Sequence, residues 1–265
     1  MITLTYADHI AHTERQVTLL RSLLTSDTDL TATVPTCPDW TLEELVRHVG
    51  GALRWAALLV SERATGNIPD EQVPLLDGPA ERGDAAALDT WFGESGRLLA
   101  EALRAAAPDT PVWSWYQDHT AGFWARRMCN ELAVHRADAA LAAGRPYEVA
   151  PEVAADTIEE WLEIVRFAQQ DPDDKDAAEL RRGGLTLHLH ATDAPAGLDA
   201  EWLIELADGG LAWRREHTKA DVALRGPLAE VMMAFHRRQA PDAGGLDVLG
   251  DRRLLDFWLE RTKWG

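Results

Sequence analysis

Cysteine is scarce in this chain, which has only Cys37 and Cys129 among its 265 residues. So few cysteines exclude a disulfide framework, and no Cys-x-x-Cys pair is present, so a reducing compartment is the default. Residues 1–6 lack the basic stretch and apolar core that characterise a secretory signal. No apolar run approaches the ~18 residues that a membrane span requires. We therefore expect a soluble protein of the cytoplasm.

Positive charge is also in short supply. The chain has 26 lysine and arginine residues against 44 aspartate and glutamate residues, which gives a net charge of −18. This balance argues against nucleic acid and against an anionic membrane surface as partners, since both attract basic patches. Hydrophobic residues make up 46% of the chain, which is typical of a globular protein. We expect small-molecule partners and, by default, a monomer.

Helical spacing of apolar side chains dominates the first part of the chain. Thr41 and Glu44 form a capping box, which predicts that one helix begins near Leu42. Glycine and proline mark residues 66–83 as a loop, and with residues 108–122 we expect it to shape a pocket. Four long helices predict an up-down bundle, a fold that builds metal sites from facing helices. The predicted helices cover residues 6–25, 42–63, 84–107 and 123–143.

The spacing of apolar residues changes from a helical period to strict alternation in the last third of the chain. Residues 185–191 alternate apolar and polar side chains, which predicts a half-buried strand, and Gly209-Gly210 predicts a hairpin turn. The sequence thus predicts an α+β fold in two domains: a helical bundle over residues 1–150 and a smaller α+β domain over residues 151–265. Further helices are predicted at residues 151–168, 227–239 and 252–263, and further strands at 200–206, 211–217, 221–224 and 246–249.

The most informative stretch lies near the middle of the chain, inside the fourth predicted helix. Glu131 and His135 are four residues apart, so both side chains lie on one helix face, and Asp138 follows on the same face. A carboxylate and an imidazole one turn apart can hold a zinc ion, provided that a third ligand comes from elsewhere. Such pairs more often form a surface ion pair or a plain polar contact. At this point both interpretations stand.

Three other histidines lie in patterned segments. His48 shares a face of the second predicted helix with apolar residues, so we expect it to point inward, as a hydrogen-bonded core residue or as a ligand. His188 and His190 lie two apart on the outer face of the predicted strand at 185–191. Such a pair can bind a metal, but the sequence offers no third ligand, so we predict a solvated surface.

Three stretches together resemble the mycothiol-dependent maleylpyruvate isomerase family, in the right order and over almost the whole chain. The first is VPTCPDWTLEELVRH at residues 34–48. The second joins FWARRM at residues 123–128 to the Glu131–Asp138 stretch. The third comprises DVALRGP at residues 221–227 and LDVLGD at residues 246–251. The resemblance implies a DinB-like four-helix metalloenzyme domain followed by a domain similar to sterol carrier proteins.

The resemblance further implies that His48, Glu131 and His135 are the three ligands of a zinc ion. Asp138 is then placed where its carboxylate can accept the second ring N–H of a ligating histidine and fix its tautomer. The alternative for Asp138 is a partner for Arg136 or Arg127 on the helix surface.

Other side chains receive weaker roles. Trp40 and Trp124 would pack beside the site and contact the substrate, although tryptophans at such positions are usually core residues. Arg237 and Arg238 could clamp a substrate carboxylate across a domain cleft; their alternative is a solvated helix end. Cys37 has no evident base partner, so we do not expect it to be a nucleophile.

The implied chemistry is thiol activation, with mycothiol as cofactor or co-substrate and an electrophile as second substrate. An isomerase and an S-transferase would use the same zinc site, so the ligands do not separate them. Two other classes remain open. A zinc-dependent hydrolase or amidase would activate water at the same position, and a non-catalytic protein would only bind zinc or a thiol. The sequence does not name the substrate.

Overall fold

The structure is a computed structural model that describes residues 4–25 and 27–263. It divides into two compact units, Leu4–Tyr147 and residues 148–263. The sequence-based boundary was placed after residue 150, and the predicted domain ends at residues 1 and 265 lie outside the described residues. The first unit is helical and the second combines helices with a sheet, so the predicted α+β class is confirmed.

The first unit is a four-helix bundle, as predicted. Helix α1 packs against α4 and α3, and α2 packs against α3 and α4. On α1 and α3 the buried side chains lie on one face of the helix, whereas α2 and α4 are buried over most of their circumference. The core includes Leu20, Leu45, Phe92 and Leu99, all with no exposed surface. The helices are α1 (Tyr6–Arg21), α2 (Leu42–Glu62), α3 (Ala85–Ala105) and α4 (Ala121–Ala142).

The segment before α2 forms a short hairpin that the sequence did not predict. Strand β1 (Thr33–Val34) pairs antiparallel with β2 (Cys37–Thr41). The prolines at 35 and 38 exclude a helix, but proline is tolerated at the edge of a sheet, so a two-stranded ladder can form around them. At the end of β2 the predicted capping box is present: Glu44 Oε2 accepts from the Thr41 amide at 2.8 Å.

The second unit is built on a five-stranded sheet with the strand order β5-β4-β3-β6-β7. Strands β3 and β6 are parallel, and the other neighbouring pairs are antiparallel. The predicted hairpin at Gly209-Gly210 is confirmed, since Ala207 pairs with Gly210. The elements are α5 (Pro151–Ala168), α6 (Lys175–Glu179), β3 (Leu185–Ala191), β4 (Glu201–Ala207), β5 (Gly210–Arg214), β6 (Val222–Gly226), α7 (Leu228–Phe235), β7 (Asp247–Gly250) and α8 (Arg252–Arg261).

One face of this sheet is covered by helices α5 and α7. Alternation along the strands directs Leu187, Leu189, Trp202 and Ile204 to the same face, and all four are buried. Glu159 on α5 accepts hydrogen bonds from the indole nitrogens of Trp202 and Trp213 at 2.8 and 2.6 Å. These two bonds attach α5 to β4 and β5, so the helix that follows residue 150 belongs with the sheet.

Several predicted elements are longer than the observed ones, and the first helix, predicted to reach residue 25, ends at Arg21. The strand predicted to reach His217 ends at Arg214, because its ladder with β4 stops at the pair Leu203–Arg214. The helix predicted to reach Gln239 ends at Phe235, and Arg237 has a left-handed backbone with φ of 64°. A left-handed residue cannot continue a right-handed helix. No helix among the described residues is long and apolar enough to cross a membrane.

Candidate metal centre

Three potential metal ligands converge between helices α2 and α4. Glu131 and His135 are one turn apart on α4, and the glutamate Oε1 lies 3.1 Å from the imidazole Nε2. His48 on α2 contributes a second imidazole, whose Nε2 lies 3.8 Å from the same Oε1. One donor atom from each side chain lies within 4.8 Å of the other two. The packing of α2 against α4 therefore supplies the third group that the spacing on α4 alone could not identify.

His48 does not point into the core, so that prediction was wrong. Its side chain is 43% exposed, whereas Leu45, Val49 and Leu53 of the same helix are buried. The reason is its position on the flank of the apolar stripe, next to Ala52, where α2 forms the wall of a pocket. His48 thus faces Glu131 and His135 from the open side of the cluster.

Asp138 lies behind the cluster and has no exposed surface. Its Oδ2 is 2.9 Å from Nδ1 of His135, and its Oδ1 accepts a hydrogen bond of 2.5 Å from the Thr36 hydroxyl. A carboxylate on Nδ1 favours the tautomer in which Nδ1 carries the proton and Nε2 keeps its lone pair. Thr36 lies in the turn between β1 and β2, so the unpredicted hairpin helps to hold Asp138.

Charge balance at the cluster depends on Arg127, one turn before Glu131 on α4. Desolvation opposes ionisation of Glu131, but the Arg127 guanidinium and His135 hold the pKa of Glu131 well below its usual range. Arg127 donates to Glu131 Oε2 at 2.5 Å. Desolvation also disfavours the charged form of His135, yet Glu131 and Asp138 raise the pKa of His135 to about 9. The pair therefore combines a firmly ionised carboxylate with a strongly basic imidazole.

An open pocket of about 740 Å³ lies beside His48. One wall comes from α2 and another from the predicted loop at residues 66–83, in agreement with the expected role of that loop. Arg47 fixes the loop: it donates to Glu43 at 2.7 Å and to the carbonyl oxygens of Asp77 and Pro79. The lining residues are Asp39, Trp40, Glu44, Arg47, His48, Gly51, Ala52, Trp55, Asp70, Leu76, Asp77 and Arg82.

The two tryptophans named from the sequence occupy different environments. Trp40 is half-buried, lines the pocket and packs on His48 with 4.9 Å between the ring centroids. Trp124 has no exposed surface and packs edge-on against Trp55 and Phe123, while its indole nitrogen donates to the Trp113 carbonyl. Trp124 thus has the contacts of a core residue. Trp55 lines the pocket and was not singled out from the sequence.

The remaining predicted residues fall outside this cluster. Neither Cys37, in β2, nor Cys129, on α4, forms a disulfide, and Cys129 is buried. Arg237 and Arg238 belong to the second unit, where Arg237 is exposed and Arg238 donates to the His236 carbonyl at 2.8 Å. Their clamp on a substrate carboxylate remains a prediction.

A second group of potential ligands lies in the second unit. The sequence predicted that His188 and His190 form a solvated surface, and this was wrong for His188, which is 5% exposed. Strand pairing brings Glu201 opposite His190, and His217 approaches the same carboxylate from the segment after β5. The four side chains each place one donor atom within 4.8 Å of the others.

Comparison with known proteins gives matches for both units. The family model for the mycothiol maleylpyruvate isomerase N-terminal domain matches residues 10–140, and the model for the MDMPI C-terminal domain matches residues 152–257. The crystal structure of a mycothiol-dependent maleylpyruvate isomerase is similar at 17% identity, with a TM-score of 0.62 over 94% of this chain and 95% of that one. A histidine-to-alanine mutant of that isomerase matches at 15% identity with the same coverage and TM-score. No curated protein matches the chain. The chain belongs, in both of its domains, to the mycothiol maleylpyruvate isomerase family.

Proposed function

We propose that this protein is a mycothiol-dependent isomerase that holds a zinc ion on His48, Glu131 and His135. The observation that carries the proposal is the convergence of two imidazoles and one carboxylate beside an open pocket. Catalytic zinc sites use three protein ligands of this kind and leave a fourth position for a reactant. Structural zinc sites usually close with four protein ligands, so the open trio favours chemistry.

The donor atoms are available to a metal because, in two of the three ligands, the other polar atom of the side chain already has a hydrogen-bond partner. On His135, Nδ1 faces Asp138, which leaves Nε2 for the metal. On Glu131, Oε2 accepts from Arg127, which leaves Oε1 toward both imidazoles. His48 needs no such partner to reach the site, since the packing of its ring against Trp40 limits where it can turn. Each ligand is therefore oriented by a neighbour of this chain.

A zinc ion bound there would supply the positive charge that stabilises a thiolate at neutral pH. The pocket must then bind the rest of the thiol molecule. Its lining includes the carboxylates of Asp39, Glu44, Asp70 and Asp77. Carboxylates accept hydrogen bonds from hydroxyl and amide groups, which suits a thiol whose body carries such donors.

For an isomerase the thiolate sulfur adds to one carbon of an activated double bond, and the electron pair moves to the conjugated carbonyl. The former double bond then rotates as a single bond. When the electrons return, the C–S bond breaks and the thiolate leaves unchanged. An S-transferase would instead keep the C–S bond, so the fate of the thiol separates the two. The family membership favours the isomerase.

The experiment is a turnover assay with maleylpyruvate, with and without mycothiol, on zinc-loaded protein. We expect turnover that requires mycothiol and does not consume it. His48→Ala should abolish it, and His12→Asn, a histidine change on α1 outside both clusters, should not. Turnover without any thiol would contradict the proposal and favour the hydrolase, and stoichiometric loss of the thiol would favour the S-transferase.

Three further expectations accompany this proposal: a cytoplasmic location, a monomeric state and a role for Arg237 on the substrate carboxylate. Arg237→Ala tests the last of these directly. A raised Michaelis constant for the carboxylate substrate would support the clamp, and an unchanged one would remove Arg237 from the mechanism.

A further inference from the structure

Three histidines of the second unit converge on one carboxylate oxygen. Oε2 of Glu201 lies 3.1 Å from Nε2 of His188, 2.9 Å from Nδ1 of His190 and 2.6 Å from Nδ1 of His217. The three rings are packed edge-on or tilted to one another, with centroid separations of 5.2–5.9 Å. Three ring nitrogens thus approach one point from three directions, and we call this group the strand cluster.

The fold produces this convergence through strand register. His188 and His190 lie two apart on β3 and therefore point to the same face of the sheet. The antiparallel pairing of β3 with β4 places Glu201 opposite His190, and His188 lies diagonal to it. After β5 the chain leaves the sheet, which brings His217 to the outer side of the cluster, where its side chain is 74% exposed.

If Glu201 only accepted hydrogen bonds from its neighbours, the environment of His188 would have no explanation. It is 5% exposed, and its Nε2 is buried without a hydrogen-bond partner although it lies 3.1 Å from the glutamate oxygen. Buried polar atoms are almost always hydrogen-bonded, so one that is not requires an explanation. This nitrogen lies among the donor atoms of the cluster, and a metal ion bound there would give it a partner.

We propose that the strand cluster is a second metal site, in which His188, His190, Glu201 and His217 bind a divalent transition ion of the zinc type. Three imidazole nitrogens and one carboxylate oxygen make a complete tetrahedral set. The donor atoms already lie within 4.8 Å of one another, and a zinc ion would draw them to about 2.0–2.2 Å from itself by small side-chain movements. Nitrogen-rich donor sets select zinc, nickel, cobalt or copper over magnesium and calcium, which prefer oxygen.

This site goes beyond the proposed function, because four protein ligands leave no open position for a reactant. The metal would instead tie together β3, β4 and the segment that follows β5. The site is therefore structural, and its presence does not depend on whether the trio of the first unit binds zinc.

The test measures zinc by elemental analysis in full-length protein without a histidine tag, after saturation and removal of excess metal. Because the trio is proposed to hold a zinc ion of its own, the comparison is made in two backgrounds, wild type and His48→Ala. In each background the test variant is the double substitution His190→Asn/His217→Asn, which leaves two of the four ligands and changes the two histidines whose side chains reach the surface. The control variant is His12→Asn.

We expect His190→Asn/His217→Asn to lose about one zinc ion per chain in both backgrounds, and His12→Asn to lose none. In the His48→Ala background this loss should leave no stoichiometric zinc. Magnesium in place of zinc should not bind at the cluster. Equal zinc in His190→Asn/His217→Asn and its parent, in both backgrounds, would overturn the proposal. Failure of the trio would look different, since His48→Ala would then hold as much zinc as wild type.

Discussion

The two histidine clusters of this protein are built on different secondary structure, and in both of them the sequence reveals only some of the ligands. On helix α4 a spacing of four residues places Glu131 and His135 together. On strand β3 a spacing of two places His188 and His190 on one face. In each case the sequence supplies a pair. The remaining ligands depend on which element packs or pairs beside it, and spacing does not reveal that.

The two clusters also differ in how completely the protein surrounds them. The helical trio offers three groups and borders a pocket of about 740 Å³, whereas the strand cluster offers four groups. Three ligands with an open side suit catalysis, and four suit a structural role. Each of the following predictions tests one side of this contrast, in order of expected effect.

The largest effect should come from His48→Ala in the helical trio. Because the side chain is 43% exposed, the variant should fold, but it loses one of three ligands. We expect loss of the zinc held by the trio and a fall in mycothiol-dependent turnover of at least about 100-fold, or about 2.7 kcal/mol. Elemental analysis and steady-state kinetics check both. Activity within a few-fold of wild type would show that His48 is not a ligand.

The next effect should be a loss of stability in the strand cluster. In the His48→Ala background with zinc at about 100 times its dissociation constant, the free energy of unfolding of His190→Asn/His217→Asn should be about 2–3 kcal/mol lower than that of its parent. For a chain of this size that is a drop in Tm of several degrees. The drop should vanish when a chelator removes zinc from both proteins. A difference in Tm that persists with the chelator would mean that these histidines stabilise the fold without a metal.

Asp138→Asn should weaken the helical trio without removing a ligand. The amide can donate to Nδ1 of His135, which would move the ring proton to Nε2 and block the metal. Removing a side chain that hydrogen-bonds to a metal ligand typically lowers the metal affinity about 10–100-fold. A competition titration for zinc measures the change. If zinc affinity is unchanged while stability falls, Asp138 acts on the fold alone.

Thr36→Val should give the smallest effect, because it removes one hydrogen bond to Asp138 and leaves the contact of Asp138 with His135 in place. A hydrogen bond to a charged group contributes about 1.5–3 kcal/mol to stability. We expect only a fraction of this energy to affect zinc binding, so zinc affinity should fall by less than about tenfold. Thr36→Ser keeps the hydroxyl and should behave as wild type. An equal loss in both variants would indicate a packing effect rather than the hydrogen bond.

Much of the fold could be predicted because local signals determine it. The capping box at Thr41 and Glu44, the alternation at residues 185–191 and the turn at Gly209-Gly210 each depend on neighbouring residues only, and the structure contains all three. The β1–β2 hairpin was missed because it contains two prolines, at 35 in its turn and at 38 in β2. The ends of β5 and α7 were placed too late because the pairing of β5 with β4 stops at Leu203 and because Arg237 has a left-handed backbone.

The sites were harder to predict because they join distant parts of the chain. The pair on α4 follows from spacing, but His48 was expected to point into the core, and Thr36 behind Asp138 lies 102 residues away. Similarly, His188 was expected to be solvated because nothing near it in the sequence suggested Glu201 or His217. Both errors arose from contacts that only the folded chain creates.

The most direct test of the central claim is calorimetric titration of mycothiol into zinc-loaded protein, zinc-free protein and zinc-treated His48→Ala. The proposed thiol activation predicts binding to the zinc-loaded wild type and none to the other two, with the His12→Asn control behaving as wild type. Binding of equal strength to the zinc-free protein would contradict it, as would a fully loaded trio that does not bind the thiol.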